Sequence, residues 1–468
     1  MMESQKKARA AFEMDMCSGP LFSKLVVFAV PLMLSGILQL LFNAADIIVV
    51  GRYAGSESLA AVGSTSSLIN LLVNVFIGLS VGANVLVAQY FGAQRMKDLE
   101  ETVHTAMMLA VIGGVILIAV GTLLAAPLLE LMGTPEDVLP LAVLYMQIFF
   151  VGMPATLAYN FGSAVLRAVG DTRRPLYYLL LAGIVNVILN LIFVIRFRMG
   201  VAGVALATVI SQCISAALIV RCLAASEAPY RLRFNCLKPV KQKVLAIARI
   251  GLPAGLQGAI FSISNVLIQS SVNSFGSVAM AGNTAAANIE GFVYTSMNAV
   301  YQTALSFSSQ NYGAKNFRRM TKIQWYCQGL VIAVGLVMGI GGVILGPQLL
   351  GIYSSDAQVI QYGMNRLRLV CGPYFLCGMM EVMVGGLRGV GCSLLPMFVS
   401  LTGACAFRVL WIFTVFAVSR TLPTLYISYP VSWGITFLVH TICYVAVRRQ
   451  IDRKEGTEKI LSSSGGWQ

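Results

Sequence analysis

Residues 24–51 read KLVVFAVPLMLSGILQLLFNAADIIVVG, an apolar run with one lysine at its start and one acid, Asp46, near its end. At 1.5 Å per residue it is long enough to cross roughly 30 Å of hydrocarbon and too long for the core of a cleavable leader. It is continuously apolar, whereas a strand of a membrane barrel alternates apolar with polar residues, so it predicts a helix. The polar residues 1–19 before it are expected to stay attached and to lead into the first span.

The rest of the chain repeats this pattern. With 57% apolar residues, 11% charged residues and a mean hydropathy of +0.78, the 468-residue chain has too little polar surface for a water-soluble globule. Apolar runs broken by polar, Gly or Pro clusters predict spans near 24–51, 58–90, 102–126, 138–168, 175–195 and 201–223. A second set follows near 244–272, 278–308, 321–350, 357–387, 396–419 and 424–447. The expectation is an all-α integral membrane protein of about twelve transmembrane helices in two six-helix lobes. The divisions are a tail at 1–23, an N-lobe at 24–223, a linker at 224–243, a C-lobe at 244–447 and a second tail at 448–468.

The net charge of +14 does not point to nucleic acid, because the basic residues fall in short clusters between the apolar runs. Counted over alternate connections, the side that holds the N-terminus carries 26 Lys and Arg and the opposite side 6, with Arg408 alone inside a span. Arg366 and Arg368 belong to the opposite side in this count, and Arg388 to the N-terminal side. The positive-inside rule then places both termini and the linker in the cytoplasm. The ten cysteines have no metal-ligand spacing and are expected to be free, buried thiols. Neither a metal nor a cofactor is expected.

An offset of about 221 residues brings rare features into register. Gln89, Gly92 and Ala93 fall on Gln310, Gly313 and Ala314. Leu166-Arg167-Ala168-Val169-Gly170 falls on Leu387-Arg388-Gly389-Val390-Gly391, each closed by a proline, Pro175 or Pro396. With small shifts Pro31 and Pro154 meet Pro253 and Pro373. Six spans per half give both halves the same orientation, related by a pseudo-twofold axis along the membrane normal with a cavity between them. The mid-span prolines are read either as bending points or as static kinks.

These residues carry a resemblance over essentially the whole chain. Ala45-Asp46-Ile47-Ile48-Val49-Val50-Gly51, Gln310-Asn311-Tyr312-Gly313-Ala314 and the paired Leu-Arg-x-Val-Gly turns resemble the multidrug and toxic compound extrusion (MATE) family. The resemblance implies a two-lobed, monomeric antiporter in the membrane of a bacterial cell. Such an antiporter expels amphipathic, often cationic, small molecules in exchange for Na+ or H+. It is closer to DinF-like members, which carry an Asp in helix one, an Asn and an Asp four apart in helix five, and a Thr in helix six. Asp46, Asn186 and Thr208 match, while Asn190 stands where the second Asp would be. The helix-seven Glu of NorM-like members has no counterpart, since Phe261 and Ser262 occupy that neighbourhood.

Ionisable residues inside a span are functional candidates by default, and four stand out: Asp46, Glu290, Glu381 and Arg408. Asp46, about five residues from Gly51, also reads as a helix-end residue near water. Asn186 and Asn190 share one helix face, either completing an ion site around Asp46 or serving as interhelical glue. One carboxylate balances one Na+, and it is equally compatible with a single Asp that takes a proton. Glu290 and Arg408 both lie about twelve residues, roughly 18 Å, from their span entrances, which predicts a Glu290–Arg408 pair with Glu381 as the alternative partner. That pair reads either as a static bridge or as part of the substrate cavity. Gly78-Leu79-Ser80-Val81-Gly82, Gly251-x-x-x-Gly255 and Gly335-x-x-x-Gly339 read as close helix packing, and His104 and His440 as structural. A lipid-linked precursor flippase is the competing function and calls for a cationic cavity, for which Arg408 is the only deep cation in sight. No nucleophile with a base supports an enzyme.

Overall fold

The computed structural model describes residues 12–464, with side chains to residue 453. The rest of the expected tails, residues 1–11 and 465–468, lie outside the described residues. In lipid every backbone N–H and C=O must find its partner within the segment, so each apolar run closes into a helix. The N-lobe comprises α1 (Leu21–Tyr53), α2 (Ser56–Gly92), α3 (Met96–Leu123), α4, α5 (Arg173–Arg196) and α6 (Gly200–Ala224). Of these α4 is a pair, Leu139–Val151 and Met153–Ala168, bent by 48° beside Pro154. The C-lobe comprises α7 (Lys241–Asn273), α8 (Ser277–Gly313), α9 (Phe317–Ile344), α10 (Ala357–Gly389), α11 (Leu394–Val418) and α12 (Leu422–Ser464). The residues expected to form a tail after 447 continue α12 instead, and α1 begins inside the expected first tail.

Ten of these helices are long and apolar enough to cross a membrane, and the bent α4 makes eleven. The twelfth, α8, has the length at 37 residues but not the composition. Asn283, Glu290, Ser296, Thr303, Gln310 and Asn311 are all buried on it, so these polar residues face protein and not lipid, while Thr284 and Asn288 are exposed.

The repeat is visible in the backbone. The helices α2 and α8 both have 37 residues, and α3 and α9 both have 28. Left-handed residues recur in pairs 221 apart: Gly55 and Gly276, Gln94 and Lys315, Gly170 and Gly391. Two helices are shared between lobes. The start of α1 (Leu25, Phe28) sits in the C-lobe core and its end (Val49, Val50) in the N-lobe core. In α7, Ile247 and Ile250 join the N-lobe core, and Ile268 and Val272 the C-lobe core. Each has its proline, Pro31 or Pro253, between the two halves, where the lost backbone hydrogen bond makes bending cheapest.

The lobes touch most closely where glycines remove the Cβ. On α2, Gly78 and Gly82 lie against Gly251, Gly255 and the Ile247 carbonyl of α7. At the linker-side ends of α2 and α8, a Cβ on Gly92 would strike the Gln310 carbonyl and one on Gly313 the Gln89 carbonyl. The glutamines close the joint symmetrically: Gln89 donates to the Gly389 carbonyl (2.9 Å) and Gln310 to the Ala168 carbonyl (2.7 Å). A Cβ on Gly255 would lie 2.7 Å from the Val75 Cα, a backbone atom that cannot swing away. Gly255→Val is therefore expected to destabilise the protein by about 1–3 kcal/mol through overpacking, read as a lower melting temperature in detergent. Unchanged melting would show that the α2–α7 contact is looser than drawn.

On the same side, the segment before α1 is strapped across the joint. Asn311 and Asn316 donate to the carbonyls of Met16 (3.1 Å) and Cys17 (3.2 Å), and Arg319 to those of Met16, Ser18 and Gly19. Tyr230 of the 225–240 connection donates to Glu13. All ten cysteines are free, but Cys213 and Cys236 are exposed, against the expectation of buried thiols.

Candidate functional site

In the N-lobe, α1 and α5 approach so closely at Gly183 that a Cβ there would enter the Phe42 ring. One turn further along, Asp46 faces Asn190, whose amide donates to the Asp46 carboxylate and to Asn186 Oδ1 (3.2 Å). Asn186 in turn donates to Thr208 Oγ1 (3.4 Å) on α6, and Thr208 to the Val204 carbonyl (3.0 Å). The four residues expected to act together thus form one chain of hydrogen bonds across three helices. Asn186 and Asn190 are 5% and 1% exposed, while Asp46 is half-buried. One atom is left over: Asn190 Oδ1 is buried without a partner. An orphaned acceptor beside a carboxylate is what a cation would complete.

A second polar site lines a cavity of about 620 Å³ formed by the C-lobe helices and closed on one side by α2, at Asn74, Ile77, Gly78 and Val81. Here the expected Glu290–Arg408 pair is not found. Glu290 accepts two hydrogen bonds from Arg366, Nε to Oε1 at 2.9 Å and Nη2 to Oε2 at 2.7 Å. Arg366 also donates to Asn283 Oδ1 (2.7 Å), which takes a further bond from Tyr426 (3.1 Å). Arg408 instead donates Nε to Ser432 Oγ (2.9 Å) and lies over the rings of Tyr429 (4.3 Å) and Trp433 (5.4 Å). Its Nη2 is buried without a partner, and no carboxylate, Glu381 included, lies within 4.0 Å of it among the described residues.

Two arginines read as lying outside the membrane core belong to this cavity. Arg366, assigned to the outer connection, is 7% exposed in the middle of α10, and Arg388, assigned to a cytoplasmic turn, is 5% exposed. Arg388 donates to Tyr301 (2.8 Å) and Gln257 (2.8 Å). Arg408 is therefore not the only deep cation. A signal for Arg366 was present: Val359, Gly363, Arg366 and Val370 recur at helical spacing and are buried on one face. Taking Arg366 and Arg388 out of the loop count leaves the basic asymmetry in place.

Backbone irregularity marks the same residues. The three π-helical segments among the described residues are Ile192–Arg196, Leu367–Cys371 and Leu401–Ala406. They begin two residues after Asn190, begin directly after Arg366, and end two residues before Arg408. A π turn inserts an extra residue and re-aims the side chains beside it, and such turns concentrate at functional sites. The two histidines hold structure: His104 bridges the Glu100 carbonyl and the Arg233 N–H, and His440 bonds Ser400.

A family model described as MatE matches residues 31–192 and again 253–414, once per lobe. The chain is 28% identical over 392 residues to the probable multidrug resistance protein YoeA of Bacillus subtilis (strain 168), covering 80% of this chain and 82% of that protein. A second protein of that organism, the probable multidrug resistance protein YpnP, is 28% identical over 388 residues, covering 83% and 86%. A solved multidrug resistance MATE family transporter of the MOP superfamily, in an outward-facing conformation, superposes with a TM-score of 0.88 at 21% identity. That likeness covers 94% of this chain and 98% of the other. Two matches to one family model, each falling on one lobe of a duplicated twelve-helix fold, show that the chain belongs to the MATE family of multi-pass membrane efflux transporters.

Proposed function

We propose that this protein exports amphipathic small organic molecules from the cytoplasm in exchange for Na+ or H+, the two lobes rocking to open the cavity alternately to either side. The observation that carries the coupling half is the hydrogen-bonded chain Asp46–Asn190–Asn186–Thr208 with its orphaned oxygen. One carboxylate and one unused buried acceptor form a monovalent site that balances electrically with a single Na+. A proton on Asp46 also neutralises the charge and gives the carboxyl an O–H that can donate to Asn190 Oδ1, so the orphaned oxygen accommodates either coupling ion.

The route from ion to cargo is α1. Its far half carries Asp46, while its near half lies in the C-lobe core and at Gly36 meets Thr295 of α8. A change at Asp46 that shifts or bends α1 at Pro31 is felt by α8, which carries Glu290 and Tyr294 on the cavity wall. In the test, purified protein in liposomes is given a Na+ gradient and a pH gradient separately and assayed for accumulation of a dye panel. Movement driven by neither gradient overturns the antiport reading. Orientation follows the basic asymmetry, with both termini and the linker cytoplasmic and the chain acting as a monomer. In a cysteine-free background, an impermeant thiol reagent outside intact cells is expected to label a Cys replacing Ser355 and to miss one replacing Gln242. The reverse pattern inverts the topology.

A further inference from the structure

The cavity's charge is uneven. Glu290, Glu381, Arg366, Arg388 and Arg408 line it, three cations against two acids. Glu290 and Arg366 neutralise each other through a two-bond pair. Arg388 has only the neutral partners Tyr301 and Gln257, and its Nε is buried without a partner. Arg408 has only Ser432 and the faces of Tyr429 and Trp433. Even with Glu381 ionised, one positive charge remains without a counter-charge, and no carboxylate lies within 4.0 Å of Arg408 among the described residues. A buried guanidinium keeps its charge and is costly in a low-dielectric wall unless something answers it.

We infer that the cavity takes a small organic anion with a flat apolar body, its carboxylate or comparable acidic group held at the Arg408 guanidinium. This rests on the export reading, since it names the cargo of that same cavity, and it departs from the often cationic cargo that the family resemblance implies. The fork of Arg408 matches a planar anion, and with Nε tied to Ser432 its terminal nitrogens remain to donate. Beside it Tyr429 and Trp433, edge-to-face at 5.7 Å, and Tyr374, 5.0 Å from Trp433, make an aromatic shelf that suits a planar ring system. A volume of about 620 Å³ is the size of a small-molecule site. One unanswered arginine fits one acidic group, and a lipid-linked diphosphate would call for more. A cation seated on the same shelf would meet Arg408 at close range with its attraction to Glu290 already spent on Arg366.

Two probes share one ring system and differ in charge: anthracene-9-carboxylate and 9-(aminomethyl)anthracene. Each is titrated by fluorescence against the full chain in phosphatidylcholine nanodiscs at neutral pH, with no ion gradient. The carboxylate is expected to bind at least about tenfold more tightly than the ammonium, and Arg408→Gln to remove that preference. Equal or tighter binding of the ammonium overturns the inference, and this comparison needs no variant to fold. Retention of the preference in a folded Arg408→Gln protein overturns the placing at Arg408. Tighter binding of farnesyl diphosphate than of the carboxylate overturns the small-anion assignment in favour of a lipid-linked precursor. Binding and export fail separately: a carboxylate preference without gradient-driven transport sinks the export reading alone, and gradient-driven transport of the ammonium but not the carboxylate sinks this one alone.

Discussion

Arg366→Met is expected to destabilise the protein by about 3–5 kcal/mol, whereas the double variant Glu290→Gln/Arg366→Met recovers much of that loss. The reason is the asymmetry between breaking a buried ion pair and removing it. Glu290 is 4% exposed and receives both of its hydrogen bonds from Arg366, itself 7% exposed. Without the guanidinium a largely buried carboxylate loses both of its hydrogen bonds and its counter-charge. Removing the charge from Glu290 as well takes that penalty away, at the cost of two charge-assisted hydrogen bonds. Arg366 also holds Asn283 and lies 5.5 Å from the rings of Tyr426 and Tyr429, so some loss persists in the double variant. The measurement is unfolding of purified protein in detergent, arranged as a double-mutant cycle. Costs that simply add would mean the pair contributes no coupling and the geometry has been misread. Transport per folded molecule separates the roles: if Glu290→Gln lowers abundance but spares turnover, the pair is a brace.

How that pair escaped the sequence shows what depth along a helix can and cannot say. Glu290 and Arg408 do lie deep in their spans, but residues at equal depth meet only if their helices pack and their faces match. Depth along a helix fixes one coordinate of three. Arg366 falls within the span expected at 357–387, but the polar residues at the start of that span place it with the outer charges in the basic count. In the protein those residues are helical and pack on α8, with Val359, Gly363, Met364 and Arg366 buried and Gln358 and Gln361 exposed. The span expected at 278–308 is the least apolar of the twelve, and its repeat partner α2, Ser56–Gly92 against Ser277–Gly313, supports its reading as a helix. The N-lobe chain was more legible. Asn186 and Asn190 declare a shared face by their spacing of four. Their meeting with Asp46 was implied by the family resemblance, because no local pattern states which helix packs against α5. The fold itself follows from apolar run length and from an offset of 221 that the backbone repeats in its left-handed residues.

Asp46→Asn is expected to leave the protein folded and able to bind cargo, and to lower gradient-driven export by about a hundredfold, the upper range of a coupling between two sites. The substitution is nearly isosteric, and an amide oxygen at position 46 still accepts the hydrogen bond that Asn190 now donates to the carboxylate. What disappears is the only carboxylate of the Asp46–Asn190–Asn186–Thr208 chain, and with it the charge proposed to hold Na+ or take up a proton. A transporter so altered has no means of sensing the gradient, yet its lobes remain able to rock. Passive exchange of labelled for unlabelled cargo should therefore persist where uphill export stops, and that contrast separates lost coupling from misfolding. Asn190→Asp offers the opposite perturbation. It places a second carboxylate beside the first, leaving a surplus negative charge around one Na+ unless one acid binds a proton. Export by that variant is expected to become dependent on external pH even under a Na+ gradient. Full uphill export by Asp46→Asn would move the coupling ion elsewhere and leave the N-lobe chain as interhelical glue.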